Sequence, residues 1–336
     1  MKKYLWRKFV KVSGLIILIS ILFLLLPLFF PRSYIGELII SFLPYLVWWT
    51  AIALIFCFVM QKKTPREYLS HRFFRILCFV ILWFLFFQFS RQSNRFYSSP
   101  QTSDATLSWT VKILYANIHK YNTQYDEIKN LITETDPDVV MFVEFADHHY
   151  AHLKDFLQEN YPYINSTTWS QKFVGSTVFS KYPLKNLAFD FKQGMRRYGY
   201  FSITFHQQPV YFYLVHVSSP DSYTHFQMRN EQLQSFIHDS QTHALYRTGQ
   251  NTVIVWDFNL TPWSTYYNLL NAEFSWTLVN ITQQVPFLCT WSLIGFPLLK
   301  SHIDHVRVNP TLQVSSFKVV NIPGSDHEGF LFSLDL

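Results

Sequence analysis

The sequence is short of charge, cysteine and glycine. Only 15% of its 336 residues are Asp, Glu, Lys or Arg, against about 25% in an ordinary soluble domain. Because 49% are hydrophobic, the chain is neither disordered nor fibrous. Two of the three cysteines, Cys57 and Cys78, lie in apolar stretches, which leaves Cys289 without a partner for a disulfide in the C-terminal part. With nine glycines, no Gly-rich nucleotide loop is present.

The charges that are present are unevenly distributed. Residues 1–105 hold 13 Lys or Arg against 3 Asp or Glu, a net charge of +10, whereas residues 106–336 hold 15 against 19, a net charge of −4. The overall net charge of +6 therefore comes from the front of the chain. A nucleic-acid-binding domain normally carries its own basic surface, so the acidic C-terminal part weakens the case for a polyanionic partner without excluding one.

Long hydrophobic runs are abundant near the N-terminus. Residues 13–30, 35–60 and 73–89 are long and apolar enough to predict three transmembrane helices, with Glu37 and Arg75 close enough to a span end to reach the lipid headgroups. Lys and Arg residues in the flanks predict which segments face the cytoplasm. We therefore expect a multi-pass protein of the inner membrane, with its C-terminal domain on the extracytoplasmic, periplasmic side. The expected divisions are a membrane domain over 1–90, a linker over 91–108 and a catalytic domain over 109–336.

The C-terminal part alternates between strand-like and helix-like patterns. Residues 110–116, 125–133 and 138–143 predict a β-α-β opening. Further strand-like runs follow as far as the C-terminus. So many strands with helices between them predict an α+β fold in which two packed β-sheets are covered by helices. The other predicted helices cover residues 150–159, 224–240 and 264–270.

Several predicted strands end in a polar residue that suits metal or phosphate chemistry. Strands can hold such groups rigidly at the rim of a sheet while loops admit a substrate. A single Asp, Asn or His in such a position is usually a turn or rim residue, but their number in one domain predicts a site. The residues are Asn117, Glu144, His216, Asp257, Asn259, Asp304, Asp326 and His327.

The order and local context of these residues resemble the endonuclease/exonuclease/phosphatase superfamily of metal-dependent phosphoesterases, with a DNase I-like fold. The resemblance spans about 110–336, and the apolar front resembles that of membrane-anchored bacterial members. Eight pieces in the order of the family carry it: Leu114-Tyr-Ala-Asn117-Ile-His119, Asp138-Val-Val-Met-Phe-Val-Glu144, Gly175-Ser-Thr-Val-Phe-Ser180-Lys-Tyr-Pro183, Leu214-Val-His216, Arg229-Asn-Glu-Gln232, Trp256-Asp257-Phe-Asn259, His302-Ile-Asp304-His305-Val306 and Gly324-Ser-Asp326-His327.

The resemblance implies a four-layer α/β sandwich with a metal site at one edge of the paired sheets. Glu144 would be the principal carboxylate on Mg²⁺ or Mn²⁺, and Asn117 and Asp326 would complete or support the site through oxygen atoms. Hard divalent cations prefer such ligands. A zinc site is less favoured, because carboxylates and amides outnumber clustered His ligands and no Cys pair is present.

The resemblance also implies roles for the other site residues. His327 would act as the general base on the attacking water, with Asp304 orienting its imidazole. Asp257 would position the nucleophile or the leaving group. Asn259 and His216 would donate hydrogen bonds to the phosphoryl oxygens.

Two positions depart from the pattern of the family. Trp256 stands where Gly is usual, and its indole either narrows the phosphate pocket or fills a gap between sheet and helix. Glu328 stands where a basic residue is common, which disfavours a strongly anionic substrate. Near the site, His148, His149 and His152 are expected at an exposed helix start, and strand alternation is expected to turn His305 away from Asp304.

Three functions stay open at this stage. The first is a membrane-anchored, Mg²⁺- or Mn²⁺-dependent phosphodiesterase or phosphatase acting on a lipid headgroup or small phosphoester, with the bilayer itself as a partner. The second is an extracytoplasmic nuclease, for which Lys192, Arg196 and Arg197 form the local basic cluster. The third is a catalytically inactive binding or scaffold module, which Trp256 favours and the retained acid, amide and imidazole residues disfavour.

Overall fold

A computed structural model provides the fold. It describes residues 29–48, 51–52, 109–164, 175–192, 195–243, 250–274, 277–285, 288–293 and 299–336, together with the single residues 19, 26 and 79. The chain divides into two compact units, Met1–Tyr97 with Pro262–Asn268, and Ser98–Thr261 with Leu269–Leu336.

In the first unit, helix α1 covers Tyr34–Ser41. Its eight residues span about 12 Å, well short of the roughly 30 Å hydrocarbon core of a bilayer. Ser33 caps the helix by accepting a hydrogen bond from Gly36 N at 3.0 Å. Glu37 is buried, and its carboxylate accepts hydrogen bonds from Ser264 Oγ at 2.7 Å and Thr265 N at 3.1 Å. Glu37 thus makes a protein contact instead of the headgroup contact expected for it.

The expectation of three transmembrane helices is wrong for the described part of the chain, where no helix combines the length and the apolarity needed to cross a bilayer. The same finding contradicts the predicted localisation, a multi-pass protein of the inner membrane with an extracytoplasmic domain. The longest helix described has 21 residues, but its side chains are largely polar. Most of the predicted stretches 13–30 and 73–89, and residues 49–50 and 53–60 of the stretch 35–60, lie outside the described residues.

The second unit contains two six-stranded sheets. The first is built from strands β1 (Thr110–Asn117), β2 (Val139–Phe145), β3 (Tyr163–Ile164), β4 (Gly175–Ser180), β13 (Gln313–Asn321) and β14 (Glu328–Asp335). Their order across the sheet is β13-β14-β1-β2-β4-β3. The pair β1 and β2 is parallel, with helix α2 (Tyr125–Thr135) between them in the chain. The predicted β-α-β opening is confirmed.

The second sheet is built from strands β5 (Leu184–Lys192), β6 (Met195–Phe205), β7 (Gln208–His216), β8 (Thr252–Asp257), β9 (Val279–Asn280) and β12 (Asp304–Val308). Their order is β5-β6-β7-β8-β12-β9, and β7 and β8 are parallel. A separate antiparallel pair joins β10 (Trp291–Ser292) to β11 (Lys300–Ser301). The remaining helices are α3 (Asp147–Asn160), α4 (Tyr223–His243) and α5 (Thr265–Phe274), with a short 3₁₀ turn at Thr282–Gln284.

The core follows from the alternation of side chains along each strand. One face of the first sheet packs on the second sheet, and the other packs on helices α2 and α3. On β1, Val111, Ile113 and Tyr115 belong to the core between the sheets, whereas Leu114 and Ala116 belong to the core under the helices. Residues of the opposing sheet that complete the central core include Phe201, Phe212, Leu214, Val253, Val255 and Val306.

Helices also cover the outer face of the second sheet. Phe236 of α4 contacts Tyr213 of β7 and Phe258 beyond β8, with ring centroids 5.7 and 5.6 Å apart. The same ring lies 5.9 Å from Phe274 of α5. The layers therefore run helix, sheet, sheet, helix, and the α+β prediction of two packed sheets flanked by helices is confirmed.

Candidate active site

The site lies where strands of both sheets meet at one edge. Because β1 is parallel to β2 and β7 is parallel to β8, the carboxyl ends of each pair lie together. Strands β12 and β14 run antiparallel to β8 and β1, so their first residues come to the same edge. These six termini carry Asn117, Glu144, His216, Asp257, Asp304 and His327.

A local irregularity of β2 sets the direction of the Glu144 side chain. The register between β2 and β4 shifts between Phe142 and Phe145, as in a β-bulge. Glu144 has a φ of 58°, in the left-handed region that non-glycine residues seldom adopt. A bulge turns a side chain away from the regular alternation, and residues held in this region cost on the order of 1–3 kcal/mol and cluster at functional sites.

Asn117 lies at the centre of the group. Its Nδ2 is 3.4 Å from Glu144 Oε1, 3.1 Å from Asp257 Oδ2 and 3.4 Å from His327 Nε2. His216 Nε2 lies 3.6 Å from Glu144 Oε1 and 3.9 Å from Asp257 Oδ2. Five of the predicted site residues therefore form one connected group around Glu144 and Asp257.

The loop after β1 fixes two of these side chains from the backbone. Asn117 Oδ1 accepts the N–H of His119 at 3.0 Å, and Glu144 Oε2 accepts the N–H of Lys120 at 2.9 Å. On the neighbouring turn, the N–H of His327 donates to Ser325 Oγ at 3.0 Å, while Ser325 Oγ donates to the Asn117 carbonyl at 2.7 Å. The turn that carries His327 is thus tied to the end of β1.

Asp304 and His327 form a buried pair. His327 Nδ1 lies 2.9 Å from Asp304 Oδ2, which leaves Nε2 directed to the Asn117 side, 3.8 Å from Asp257 Oδ2. The second oxygen of Asp304, Oδ1, accepts the Tyr115 hydroxyl at 2.8 Å. Asp304 therefore has both oxygens engaged, one by the imidazole and one by a phenol.

Burial and like charge set the electrostatics of the site. Burial, reinforced by the Asp304 carboxylate, raises the pKa of Asp257 to about 8. For His327, burial opposes the charged form, but the nearby Asp304 carboxylate outweighs it and raises the pKa to about 10. Burial likewise disfavours the Glu144 carboxylate, yet His216 and the Lys120 N–H outweigh it and hold its pKa below the usual value. The site thus crowds carboxyl groups together, and a bound cation would favour their ionised forms.

The side chains fit a hard divalent cation. Asp257, Asp304 and His327 each bring one ligand-type atom within 4.8 Å of the others. The oxygens of Asp304, Glu144 and Asp257 all accept hydrogen bonds, but each carboxylate oxygen can accept two and so keeps capacity for a cation. Asp326 Oδ1 is buried without a hydrogen-bond partner among the described residues. Carboxylate and amide oxygens of this kind suit Mg²⁺ or Mn²⁺.

Two of the predicted site residues make side-chain hydrogen bonds outside the group around Asn117. The Asn259 side chain donates from Nδ2 to the Val217 carbonyl at 3.1 Å, and its backbone N–H donates to Asp257 Oδ1 at 2.9 Å. Asp326 Oδ2 accepts the indole N–H of Trp291 at 2.8 Å. Asn259 therefore orders the loop around Asp257, and Asp326 is held by a residue whose part in the site was not predicted.

One of the two departures from the family pattern, Trp256, has a structural explanation. Trp256 is fully buried and stacks on Phe258 at 4.7 Å, with the Arg307 guanidinium 5.7 Å from its ring, so it fills a gap beside the sheet. His305 is buried next to Trp256, 5.7 Å away, as alternation with Asp304 predicts. The expectation for His149 is wrong, because this residue is fully buried.

Sequence reasoning missed Tyr115 and Trp291. Tyr115 lies two residues before Asn117, so strand alternation puts both on one face, and that signal was present in the sequence. The contact of Trp291 with Asp326 comes from β10, and a two-residue strand leaves no periodic signal.

Comparison with known proteins shows which family and which solved structures resemble this protein. The profile of the Endonuclease/Exonuclease/phosphatase family matches residues 114–327. Among solved structures, truncated Caenorhabditis elegans TDP2 aligns with a TM-score of 0.52 at 16% identity, covering 68% of this chain and 98% of that one. Humanized D. rerio TDP2 gives 0.52 at 18%, covering 68% and 100%, and SmcL gives 0.51 at 17%, covering 68% and 99%.

A comparison with curated proteins found no match. The identities to the solved structures are low, so those structures show the fold alone. The family profile covers more than half of the chain, including all but the flanks of the second unit. This protein therefore belongs to the Endonuclease/Exonuclease/phosphatase family and is a metal-dependent hydrolase of the phosphoesterase and nuclease class.

Proposed function

We propose that this protein hydrolyses a phosphodiester or phosphomonoester by in-line attack of a water that His327 deprotonates. The observation that carries the proposal is the 2.9 Å contact between His327 Nδ1 and Asp304 Oδ2, at the same sheet edge as Glu144, Asn117 and Asp257. A carboxylate on one ring nitrogen orients the imidazole and leaves the other nitrogen to exchange a proton with water.

In this proposal Glu144, Asn117 and Asp326 hold Mg²⁺ or Mn²⁺ through oxygen atoms. When bound, the cation would stabilise charge on the phosphoryl oxygens and favour the neutral form of His327. His216 donates a hydrogen bond to the phosphoryl group, and Asn259 donates another through the Nδ2 hydrogen that its bond to the Val217 carbonyl leaves over. Asp257, 3.8 Å from His327 Nε2, positions the attacking water or the leaving oxygen.

The charge of the domain favours a small phosphoester as the substrate. Residues 106–336 carry a net charge of −4, and Glu328 adds a negative charge directly after His327. A long polyanion would have to overcome this field. The substrate class that this charge favours is therefore a small phosphoester.

A nucleic-acid substrate is the second candidate. One similar structure is D. rerio TDP2 complexed with single strand DNA product, with a TM-score of 0.51 at 16% identity. Binding of DNA would fall steeply with salt, because counterions are released from each phosphate that is neutralised. Hydrolysis of a small phosphodiester would change little over the same range of salt.

The test is hydrolysis of bis(p-nitrophenyl) phosphate by the full chain with Mg²⁺ or Mn²⁺, comparing wild type with His327→Ala and Glu144→Gln. Loss of the base or of the principal carboxylate should lower kcat by about 100-fold or more. The matched controls are His152→Ala and Glu159→Gln, two exposed positions of α3. A folded wild type without metal-dependent turnover, or a His327→Ala variant as active as the controls, would refute the proposal.

A further inference from the structure

A short two-stranded element beside the site contains a tryptophan that the proposed reaction has not used. Strand β10 pairs with β11 and belongs to neither six-stranded sheet. Trp291 of β10 also forms an antiparallel bridge with His327. Two backbone hydrogen bonds flank this bridge, from Ser292 N to Asp326 O at 2.9 Å and from Glu328 N to Thr290 O at 2.7 Å. The segment 290–292 therefore holds the backbone on both sides of His327.

Trp291 holds Asp326 by its side chain as well. The indole Nε1–H donates to Asp326 Oδ2 at 2.8 Å. An indole is a donor only, so this bond engages one carboxylate oxygen and fixes the orientation of the group. The other oxygen, Oδ1, is buried and makes no hydrogen bond to any residue that the structure describes.

A buried carboxylate oxygen without a partner is costly, by about 1–3 kcal/mol or more. The cost is offset if the oxygen binds a ligand that carries positive charge, and hard divalent cations take carboxylate oxygens. The segment 290–292 also steadies the other side of the site, because Thr290 Oγ1 accepts the N–H groups of Ile303 at 3.0 Å and Asp304 at 3.1 Å. One segment is thus tied to Asp326, His327 and Asp304.

We propose that Trp291 is a positioning residue that orients Asp326 toward the divalent cation of the site. The inference rests on the proposed function, since it takes the cation and its ligand Asp326 from there. The indole N–H engages Oδ2 and leaves Oδ1 as the ligand atom. Groups that orient metal ligands in this way typically contribute about 10–100-fold to metal affinity or activity.

The experiment measures Mn²⁺ binding to the full chain by electron paramagnetic resonance, with no substrate present. Trp291→Phe keeps an aromatic ring and removes the donor, and it should raise the Kd for Mn²⁺ about 10–100-fold. The matched control is Trp109→Phe, the same change at a half-exposed tryptophan that stacks on His206 beside the start of β1. The control should bind Mn²⁺ as the wild type does.

Asp326→Asn extends the test to a nearly isosteric variant that does not alter the indole. It should also weaken Mn²⁺ binding, and adding Trp291→Phe to it should cause no further loss, because the two residues act as one unit. Additive losses, wild-type affinity in Trp291→Phe, or wild-type affinity in Asp326→Asn would each overturn the inference. The last outcome decides the matter even if Trp291→Phe fails to fold.

The outcomes also separate this inference from the proposed function. A wild type that neither binds Mn²⁺ nor hydrolyses the diester contradicts the proposed function itself. A wild type that does both, with Trp291→Phe changing the KM for the diester and leaving Mn²⁺ affinity intact, overturns only the inference and assigns Trp291 to substrate contact.

Discussion

Asp304 is held on both sides, and its two partners determine what it can do at the site. Tyr115 Oη donates to Oδ1 at 2.8 Å and His327 binds Oδ2 at 2.9 Å. Burial, together with the Asp304 charge, raises the pKa of Tyr115 well above its usual value, so the phenol stays protonated and donates. With this donor in place, Asp304 stays oriented on the imidazole.

Replacing Tyr115 with Phe tests this support. Hydrogen bonds to charged groups contribute about 1.5–3 kcal/mol, so Tyr115→Phe should lower the free energy of unfolding by about that amount, measured by urea denaturation at pH 7.5. The control Tyr121→Phe removes a hydroxyl from a ring that is 73% exposed and should stay within about 0.5 kcal/mol of wild type. Equal stability of both variants would show that the phenol does not support Asp304.

For individual residues, the sequence predicts the direction of a side chain where that side chain follows strand alternation. Asn117, His216 and Asp257 each end a buried strand, and alternation correctly turned His305 away from Asp304. Glu144 was identified from its context, but its aim depends on a bulge and a φ of 58°, which no periodic pattern encodes. Alternation also pointed to Tyr115, a signal that was not used.

At the scale of elements, helix α3 supports the site through its first turn. His149 Nδ1 accepts the N–H of Ala146 at 2.9 Å, and its Nε2 lies 2.9 Å from the Asn122 carbonyl. This arrangement requires a neutral imidazole with the proton on Nε2. Asn122 lies in the loop whose Lys120 N–H binds Glu144, so His149 ties α3 to the loop that orients Glu144.

The buried His149 makes stability depend on pH. Burial, assisted by the neighbouring His148, lowers the pKa of His149 to about 4, from an unfolded value of about 6.5. A group with a lowered folded pKa contributes fully above the unfolded pKa and loses its contribution as pH falls toward the folded value. The loss between about pH 6.5 and pH 4 should amount to about 3 kcal/mol.

The measurement is urea denaturation of wild type and His149→Gln between pH 7.5 and pH 4.5. The stability gap between the two should be largest at pH 7.5 and should shrink as pH falls. His152→Gln, an exposed change one turn later in α3, should stay within about 0.5 kcal/mol of wild type at pH 7.5. A gap that is constant over the whole range would contradict the assignment of a neutral, buried His149.

Elements with a clear period were predicted, and those without one were not. The helices predicted over 150–159, 224–240 and 264–270 correspond to α3, α4 and α5, with ends that differ by a few residues. Strands β3, β9, β10 and β11 have two residues each, too few for any pattern. Strand β10 is one of these, so no periodic pattern in the sequence could predict Trp291, the residue that holds Asp326.

At the scale of the whole molecule, hydrophobic runs indicate which side chains avoid water and leave open which element they form. This is why residues 35–60 predicted a span, whereas helix α1, at the start of this stretch, has eight residues and a buried Glu37 bound to Ser264. The fold of the second unit was predictable because its strand-like patterns, its helical periods and the polar residues at its strand ends all indicate the same fold.

The gathering of acidic groups at one sheet edge makes the whole fold sensitive to metal. Asp257 and Asp304 are fully buried beside the partly exposed Glu144, and burial and like charge raise the pKa of Asp257 to about 8. A divalent cation that binds only the folded state stabilises it by mass action, by about 2.7 kcal/mol at a concentration 100 times its Kd. For a domain of this size, that corresponds to a rise in Tm of about 5–10 °C.

We therefore expect the Tm of the full chain, followed by near-ultraviolet circular dichroism, to rise by that amount on adding saturating Mn²⁺ to protein treated with EDTA. Glu144→Gln should lose most of this rise, because it removes the charge of the proposed principal ligand, whereas Glu159→Gln should keep it. The EDTA-treated Glu144→Gln variant should itself melt below the wild-type Tm, since the lowered pKa of Glu144 means that its charge stabilises the folded state. A rise of equal size in all three proteins would place the cation elsewhere on the molecule.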